Sequence, residues 1–103
     1  MLLVTTESIP GKQLELLGMV RGSTIQSKNI GRDIGSGLKS LVGGELQSYT
    51  AMLNDARDIA TARMTDEAEH LGADAVVCIR YTTSSVMQGA AEICVYGTAV
   101  KFI

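Results

Sequence analysis

The sequence predicts a single α+β domain in which an antiparallel sheet packs against one long helix and one short, glycine-rich helix. A chain of 103 residues is long enough for one domain and too short for two. Residues 45–71 repeat apolar side chains every three or four positions, which is typical of an amphipathic helix. Two later segments are dense in β-branched residues, which favour strands. Residues 1–103 are therefore predicted to form one domain.

The composition narrows the classes of partner. Hydrophobic residues make up 46% of the chain and charged residues 19%, with a mean hydropathy of +0.19, which is too apolar for a disordered protein. We expect part of this apolar surface to face another copy of the chain. A net charge of -2, a pI near 5.2 and the lack of tryptophan disfavour nucleic-acid and anionic membrane partners.

The first residues, the length of the apolar runs and the cysteines predict where in the cell the protein is located. Polar residues follow Met1–Val4 at once, so no secretory signal is predicted. The longest apolar run, Ala75–Ile79, is far shorter than a membrane helix requires. We therefore expect a cytoplasmic protein whose two cysteines, Cys78 and Cys94, are reduced.

Glycine and proline divide the first part of the chain. A short extended segment, Leu2–Thr6, precedes Ile9-Pro10-Gly11, which predicts a turn because proline suits its second position and glycine its third. Residues Lys12–Gln26 are predicted to form one long, bent strand. Gly18 and Gly22 interrupt its alternation, and a bulge is expected at each.

Two helices are predicted next. Residues Asn29–Val42 place apolar side chains on one face behind an asparagine cap, although interior glycines weaken this short helix. The long helix, Glu45–Leu71, is the strongest pattern in the chain, and alanines on its apolar stripe would allow close approach to a sheet. His70 suits the negative end of the helix dipole, and Gly72 is predicted to be its left-handed cap.

Two strands, Ala73–Thr83 and Ala91–Phe102, are predicted to form an antiparallel hairpin. A midpoint at Val86 or Met87 would place Cys78 opposite or diagonal to Cys94. One face would then carry even-numbered residues and both thiols, and the other would carry odd-numbered residues and the long helix. The even-numbered residues are Val76, Cys78, Arg80, Glu92, Cys94, Tyr96 and Val100, with Arg80 facing Glu92. The odd-numbered residues are Val77, Ile79, Tyr81, Ile93, Val95 and Ala99.

The cysteines are the candidate metal ligands. Thiolates bind soft ions such as Zn²⁺ or Cu⁺, so Cys78 and Cys94 form a candidate site. Two ligands are too few for a structural zinc site, so a complete site would have to form between subunits. The alternative is that both cysteines are small buried hydrophobic residues.

No catalytic group of residues is evident, and the protein is predicted not to be an enzyme. The glycine-rich tract Gly31–Gly44 departs from phosphate-binding spacings, and the lone His70 is better explained as a dipole partner. Two alternatives remain open. The chain could be a structural or interaction protein without metal, or an enzyme whose site lies between subunits.

Several tracts together resemble the YbjQ-like family, which is labelled a heavy-metal-binding domain. The resemblance spans nearly the whole chain and rests on the order and spacing of these tracts: Gly31-Arg32-Asp33-Ile34, Val42-Gly43-Gly44-Glu45-Leu46, Tyr49-Thr50, Ala56-Arg57, Met64 with Glu67-Ala68, Leu71-Gly72-Ala73-Asp74-Ala75-Val76-Val77 and Tyr96-Gly97-Thr98-Ala99-Val100.

The resemblance implies a dodecin-like β-α-β-β subunit whose additional short strands help to close a homopentameric ring. It also implies the binding of a heavy metal. This chain departs from the family pattern after Val76-Val77: many members have a glycine there and an aspartate a few residues later, where this sequence has Cys78 and Thr82-Thr83-Ser84. The missing carboxylate disfavours an oxygen-ligand metal site at that position.

Overall fold

The structure is a computed structural model that describes residues 1–27 and 47–103. These residues form four strands and one helix, and the α+β class is confirmed. The predicted short helix, Asn29–Val42, lies outside the described residues. In chain order the elements are β1 (Leu2–Leu3), β2 (Leu14–Ser27), α1 (Gln47–His70), β3 (Ala75–Met87) and β4 (Ala90–Phe102).

The strands form one sheet in the order β1-β3-β4-β2. β4 is antiparallel to both of its neighbours, whereas β1 runs parallel to β3. Within the described part of the chain, no helix combines the length and the hydropathy needed to cross a membrane.

The N-terminal segment follows the edge of β3 and then turns back. The Val4 N–H donates to Val76 O at 3.0 Å. The turn predicted at Ile9-Pro10-Gly11 is confirmed, because the Lys12 N–H donates to Ile9 O at 3.1 Å and Gly11 has φ +76°.

Helix α1 packs on one side of the sheet, which we call the inner face; the opposite side is the outer face. Small residues of the helix stripe bring its backbone close to β2 and β4, as the alanine pattern predicted. Together they form the main core, whose buried members are Val20, Ala56, Ala60, Met64, Ala68, Val76, Ile79, Ile93, Val95 and Ala99.

The closest helix-to-strand contact is at Gly22, where the prediction of a bulge is wrong. The register of β2 against β4 shifts only between Leu16 and Gly18. A β-carbon at Gly22 would collide with Ala60 O and lie 2.5 Å from Met64 N. Glycine is required there because the helix backbone occupies the space that a side chain would need.

The end of α1 agrees with the prediction. The ring nitrogen Nδ1 of His70 lies 2.7 Å from Asp66 O, so it donates to a carbonyl of the last turn. Gly72 has φ +78°, and its N–H donates to Glu69 O at 3.0 Å. The Ala73 N–H reaches back to Ala68 O at 3.1 Å, which completes a Schellman cap.

The hairpin exists, but its predicted midpoint is wrong. The loop is Gln88-Gly89, and Met87 pairs with Ala90. Gly89 adopts φ +77°, a conformation that glycine tolerates best, and this places the loop after Met87.

A bulge in β3 also changes which residues face the helix. Val77 pairs with Thr98 and Arg80 with Tyr96, so two residues of β3 oppose one residue of β4. Residues after the bulge keep their predicted faces. Before it the faces are exchanged: Val76 packs in the helix-side core and Val77 lies on the outer face. One extra residue is enough to reverse the alternation of a strand.

Candidate functional site

The outer face is the candidate site because both cysteines lie there. Its upper part is covered by the N-terminal segment, and the covered residues Ala75, Val77 and Val100 are buried with Val4, Ile9, Leu14, Cys78 and Phe102 packed around them. Its lower part remains open and is largely polar. The register arranges this part in rows across β3, β4 and β2: Arg80–Tyr96–Arg21, Thr82–Cys94–Ser23 and Ser84–Glu92–Ile25.

Cys78 lies in the bulge and has an unusual backbone conformation. Its φ is +57°, the left-handed region that side chains other than glycine rarely adopt. Its N–H donates to Thr6 O at 3.0 Å, and the Ile79 N–H donates to Val4 O at 3.2 Å. These bonds tie the bulge to the N-terminal segment. A glycine here, which the family resemblance implies, would adopt this backbone conformation without strain.

This conformation predicts an unusual order of stabilities at position 78. We expect Cys78→Gly to be at least as stable as the parent chain, whereas Cys78→Val should lose about 2 kcal/mol, because a β-branched residue is strained at positive φ. Urea denaturation at a fixed protein concentration measures both. Cys94 lies in regular strand and provides the control: there valine should be the more stable substituent and glycine the less stable one. Equal effects at the two positions would contradict the left-handed backbone at Cys78.

Cys94 is in the middle of the open rows. It is half-buried on the central strand β4, with Thr82 on one side and Ser23 on the other. Among the described residues, the only hydrogen bond of its side chain is a long S–H contact to Val95 O at 3.9 Å. The thiol therefore points to the outer face with little that restrains it.

The predicted pairing of Cys78 with Cys94 is wrong. Cys94 pairs with Thr82, which is four residues beyond Cys78, and this corresponds to roughly 10 to 13 Å of strand. Two sulfurs on one zinc ion would lie within about 4.6 Å of each other, since each bond is about 2.3 Å. One chain therefore does not bring these thiols to a single ion. The later hairpin loop and the register shift between Ser85 and Met87 are the reasons that the partner of Cys94 differs from the prediction.

Other expected contacts on this face also change. Arg80 pairs with Tyr96 rather than facing Glu92, which pairs with Ser84. The Arg80 guanidinium donates to Thr5 O at 3.2 Å and to Ile79 O at 2.8 Å, so it holds the N-terminal segment. Across residues 1–27 and 47–103 there is no group of three or more His, Cys, Asp or Glu that could hold a metal ion.

A groove of about 240 Å³ lies on the inner face, at the end of the sheet nearest the hairpin loop. The first half of α1 and the end of the hairpin form it, and its lining is mainly apolar, with Met52, Leu53 and Met87 beside the hydroxyls of Thr83 and Ser85. Neither cysteine lines it. The groove and the thiols are therefore separate features on opposite faces.

The exposed apolar residues that β2 contributes to the outer face were not predicted from the sequence. Leu16 is 75% exposed, Met19 70% and Ile25 59%, and all three point outward from β2. Tyr96 lies beside them at 38% exposure. A signal was present for Met19 and Ile25, because they alternate with Val20, Gly22 and Thr24 of the inner face. Leu16 faces outward only because of the bulge before Gly18. Their exposure depends on what packs on the sheet, which alternation alone does not specify.

Comparison with known proteins shows the family. The family model described as "Putative heavy-metal-binding" matches residues 1–103. The chain belongs to the YbjQ family. A UPF0145 protein of Clostridium novyi (strain NT) is 63% identical over 103 residues, and one of Alkaliphilus metalliredigens (strain QYMF) is 62% identical over 103 residues. Each of these alignments covers 100% of both chains.

More distant similarity supports the fold of this YbjQ chain. A UPF0145 protein of Thermus thermophilus is 57% identical over 101 residues, covering 97% of this chain and 89% of the relative. A crystal structure of a DUF74-family protein of unknown function from Pediococcus pentosaceus matches with a TM-score of 0.72 at 15% identity. That match covers 100% of this chain and 98% of the other and shows the shared fold.

Proposed function

We propose that this YbjQ chain is the subunit of a cytoplasmic, non-enzymatic homo-oligomer that binds a soft metal ion between its subunits. The ring of five implied by the family resemblance is the proposed form. The observation that carries the proposal is the pair of exposed apolar side chains Leu16 and Met19, which are neighbours on the outer face of β2. Ile25 is a further exposed apolar residue of this face, beyond Arg21 and Ser23. Monomers rarely expose neighbouring large apolar side chains of this kind, whereas subunit interfaces bury them.

The edges of the sheet support assembly as well. β2 is an edge strand along its whole length, and beyond the N-terminal segment the second half of β3 is the other edge. Among the described residues, no strand pairs with either of these edges. Long unpaired edges are templates for pairing with another chain unless they are covered.

Metal binding is supported by the family's description and by the position of the thiols. Both cysteines are half-buried on the outer face, and Cys94 lies in its open rows, where a neighbouring subunit could approach. Cys78 packs beside the part that the N-terminal segment covers. Since one chain does not bring them together, the ligands at one ion would be thiols from different copies. Soft ions such as Zn²⁺ and Cu⁺ match sulfur ligands.

The separation of the thiols within one chain favours a second candidate function. In this alternative the oligomer is a structural or protein-interaction ring that binds no metal, and the cysteines are ordinary small apolar residues. Both candidate functions assume the same oligomer, and they differ only in whether it binds a metal ion.

Native mass spectrometry of the reduced protein tests both candidates. The protein is measured as purified and after addition of one equivalent of Zn²⁺ or Cu⁺. We expect a five-subunit ion that retains stoichiometric metal, and Cys78→Ser and Cys94→Ser should lose metal without losing subunits. Ser23→Ala, which removes a hydroxyl beside Cys94, is the control and should retain metal. A metal-free pentamer would favour the second candidate, and a monomer would contradict both.

A further inference from the structure

The exposed side of α1 carries an acidic stripe that is defined by six residues at steps of three or four: Ala51, Asp55, Asp58, Ala62, Asp66 and Glu69. All six are exposed, and such steps place them on one side of the helix. Among the described residues, none of the four carboxylates forms an ion pair. Like charges at these spacings repel one another. The stripe is therefore expected to favour a cationic surface opposite it.

The outer face of the sheet offers such a surface. Arg21 and Arg80 flank Tyr96 in one row, and the exposed Met19 of β2 lies in the next row. Arg21 is exposed, and its side chain has no ion pair or hydrogen bond within the described residues. Of the nine residues in the three open rows, Glu92 alone is acidic, against the two arginines. The patch thus combines two cations with apolar area, which is a combination common at the centres of interfaces.

The acidic stripe and the outer face cannot meet within one chain. Helix α1 covers the inner face of its own sheet, so its acidic stripe and the outer face lie on opposite sides of the subunit. Two different surfaces that match each other head to tail generate a ring when the rotation closes. A second copy of this chain supplies the complementary surface in each direction.

We infer that the acidic stripe of one subunit docks on the Arg21–Tyr96–Arg80 row of the next. This inference rests on the proposed homo-oligomer alone and names the surfaces that form it. It favours the oligomer without metal, because the docked helix would cover Cys94 and residues 47–70 contain no cysteine. Carboxylates of Asp58 or Asp66 meet Arg21, while the alanines of the stripe allow the helix to approach Met19 and Tyr96. The charge pairs set the direction of docking, and the apolar residues supply the buried area.

Charge reversal in the full-length chain tests the docking. Arg21→Glu, Asp58→Arg and Asp66→Arg are compared by sedimentation and native mass spectrometry, with circular dichroism to verify folding. We expect Arg21→Glu to raise the dissociation constant of the oligomer about tenfold or more. The same increase is expected for Asp58→Arg or Asp66→Arg, depending on which of the two aspartates contacts Arg21. Arg21→Gln should have an intermediate effect. Glu67→Arg makes the same charge change on another side of α1 and should leave the dissociation constant unchanged.

Restoring the charge pair gives the decisive result. Arg21→Glu combined with the matching helix reversal in one chain should recover the parent assembly. Mixing the two single variants should restore assembly in part, because alternating subunits pair opposite charges at four of the five contacts in a ring of five. Single variants that assemble like the parent would overturn the docking and leave the oligomer standing. A monomeric parent chain would overturn both the docking and the proposed oligomer.

Discussion

Replacing Gly22 by alanine is expected to lower the free energy of unfolding by about 3 kcal/mol. The added β-carbon would collide with Ala60 O and would lie 2.5 Å from Met64 N and 3.0 Å from the β-carbon of Arg63. Two of these three atoms belong to the helix backbone, so the contact is not relieved by rotating a side chain. The helix as a whole would have to move away from β2, which would open the main core.

Chemical denaturation at a fixed protein concentration measures this loss, since assembly makes the apparent stability depend on concentration. The control is Ser23→Ala on the next residue, whose side chain points to the outer face. It should change the unfolding free energy by no more than about 0.5 kcal/mol. Equal stability of Gly22→Ala and the parent chain would contradict the close contact between α1 and β2.

Ala60→Leu is expected to cost up to about 3 kcal/mol, the second-largest effect on stability. Ala60 is fully buried, and its carbonyl oxygen is the helix atom closest to the space beside Gly22. A leucine would place three more carbons between the helix and the sheet, in a core without space for them.

The same denaturation experiment detects the change. Glu67→Leu is the matched control, because it introduces leucine on the exposed part of the same helix and should be nearly neutral. An unchanged denaturation midpoint for Ala60→Leu would show that the alanine stripe does not face the sheet.

Local patterns were sufficient for much of the fold. The periodicity of residues 45–71 predicted α1, which is described from Gln47 to His70. His70 and Gly72 act at its end as expected, and the turn at Pro10 forms. Each of these features depends on neighbouring residues in the chain, and for that reason the sequence predicts them well.

The candidate site was predicted less well because it depends on register. Both cysteines were selected from the sequence and placed together, but the loop at Gln88-Gly89 and the register shift between Ser85 and Met87 place Cys94 opposite Thr82. The bulge at Cys78 lies farther along β3 and alters only the rows beyond Arg80. A bulge residue is usually glycine when it adopts positive φ, and cysteine at this position concealed the signal. The same bulge is the reason that Val76 and Val77 lie on the opposite faces from those predicted.

Short periodic segments and local motifs were enough to specify the class of the fold, the long helix with its cap, the hairpin and membership of the YbjQ family. Packing between distant segments was needed to show that Cys78 and Cys94 lie apart and that the backbone of α1 packs directly against Gly22. It was also needed to show that Arg21 is exposed on the outer face near Met19. These features depend on how strands distant in the chain align and on which surface the helix covers. Both are set by long-range contacts, in which one inserted residue can shift the whole register.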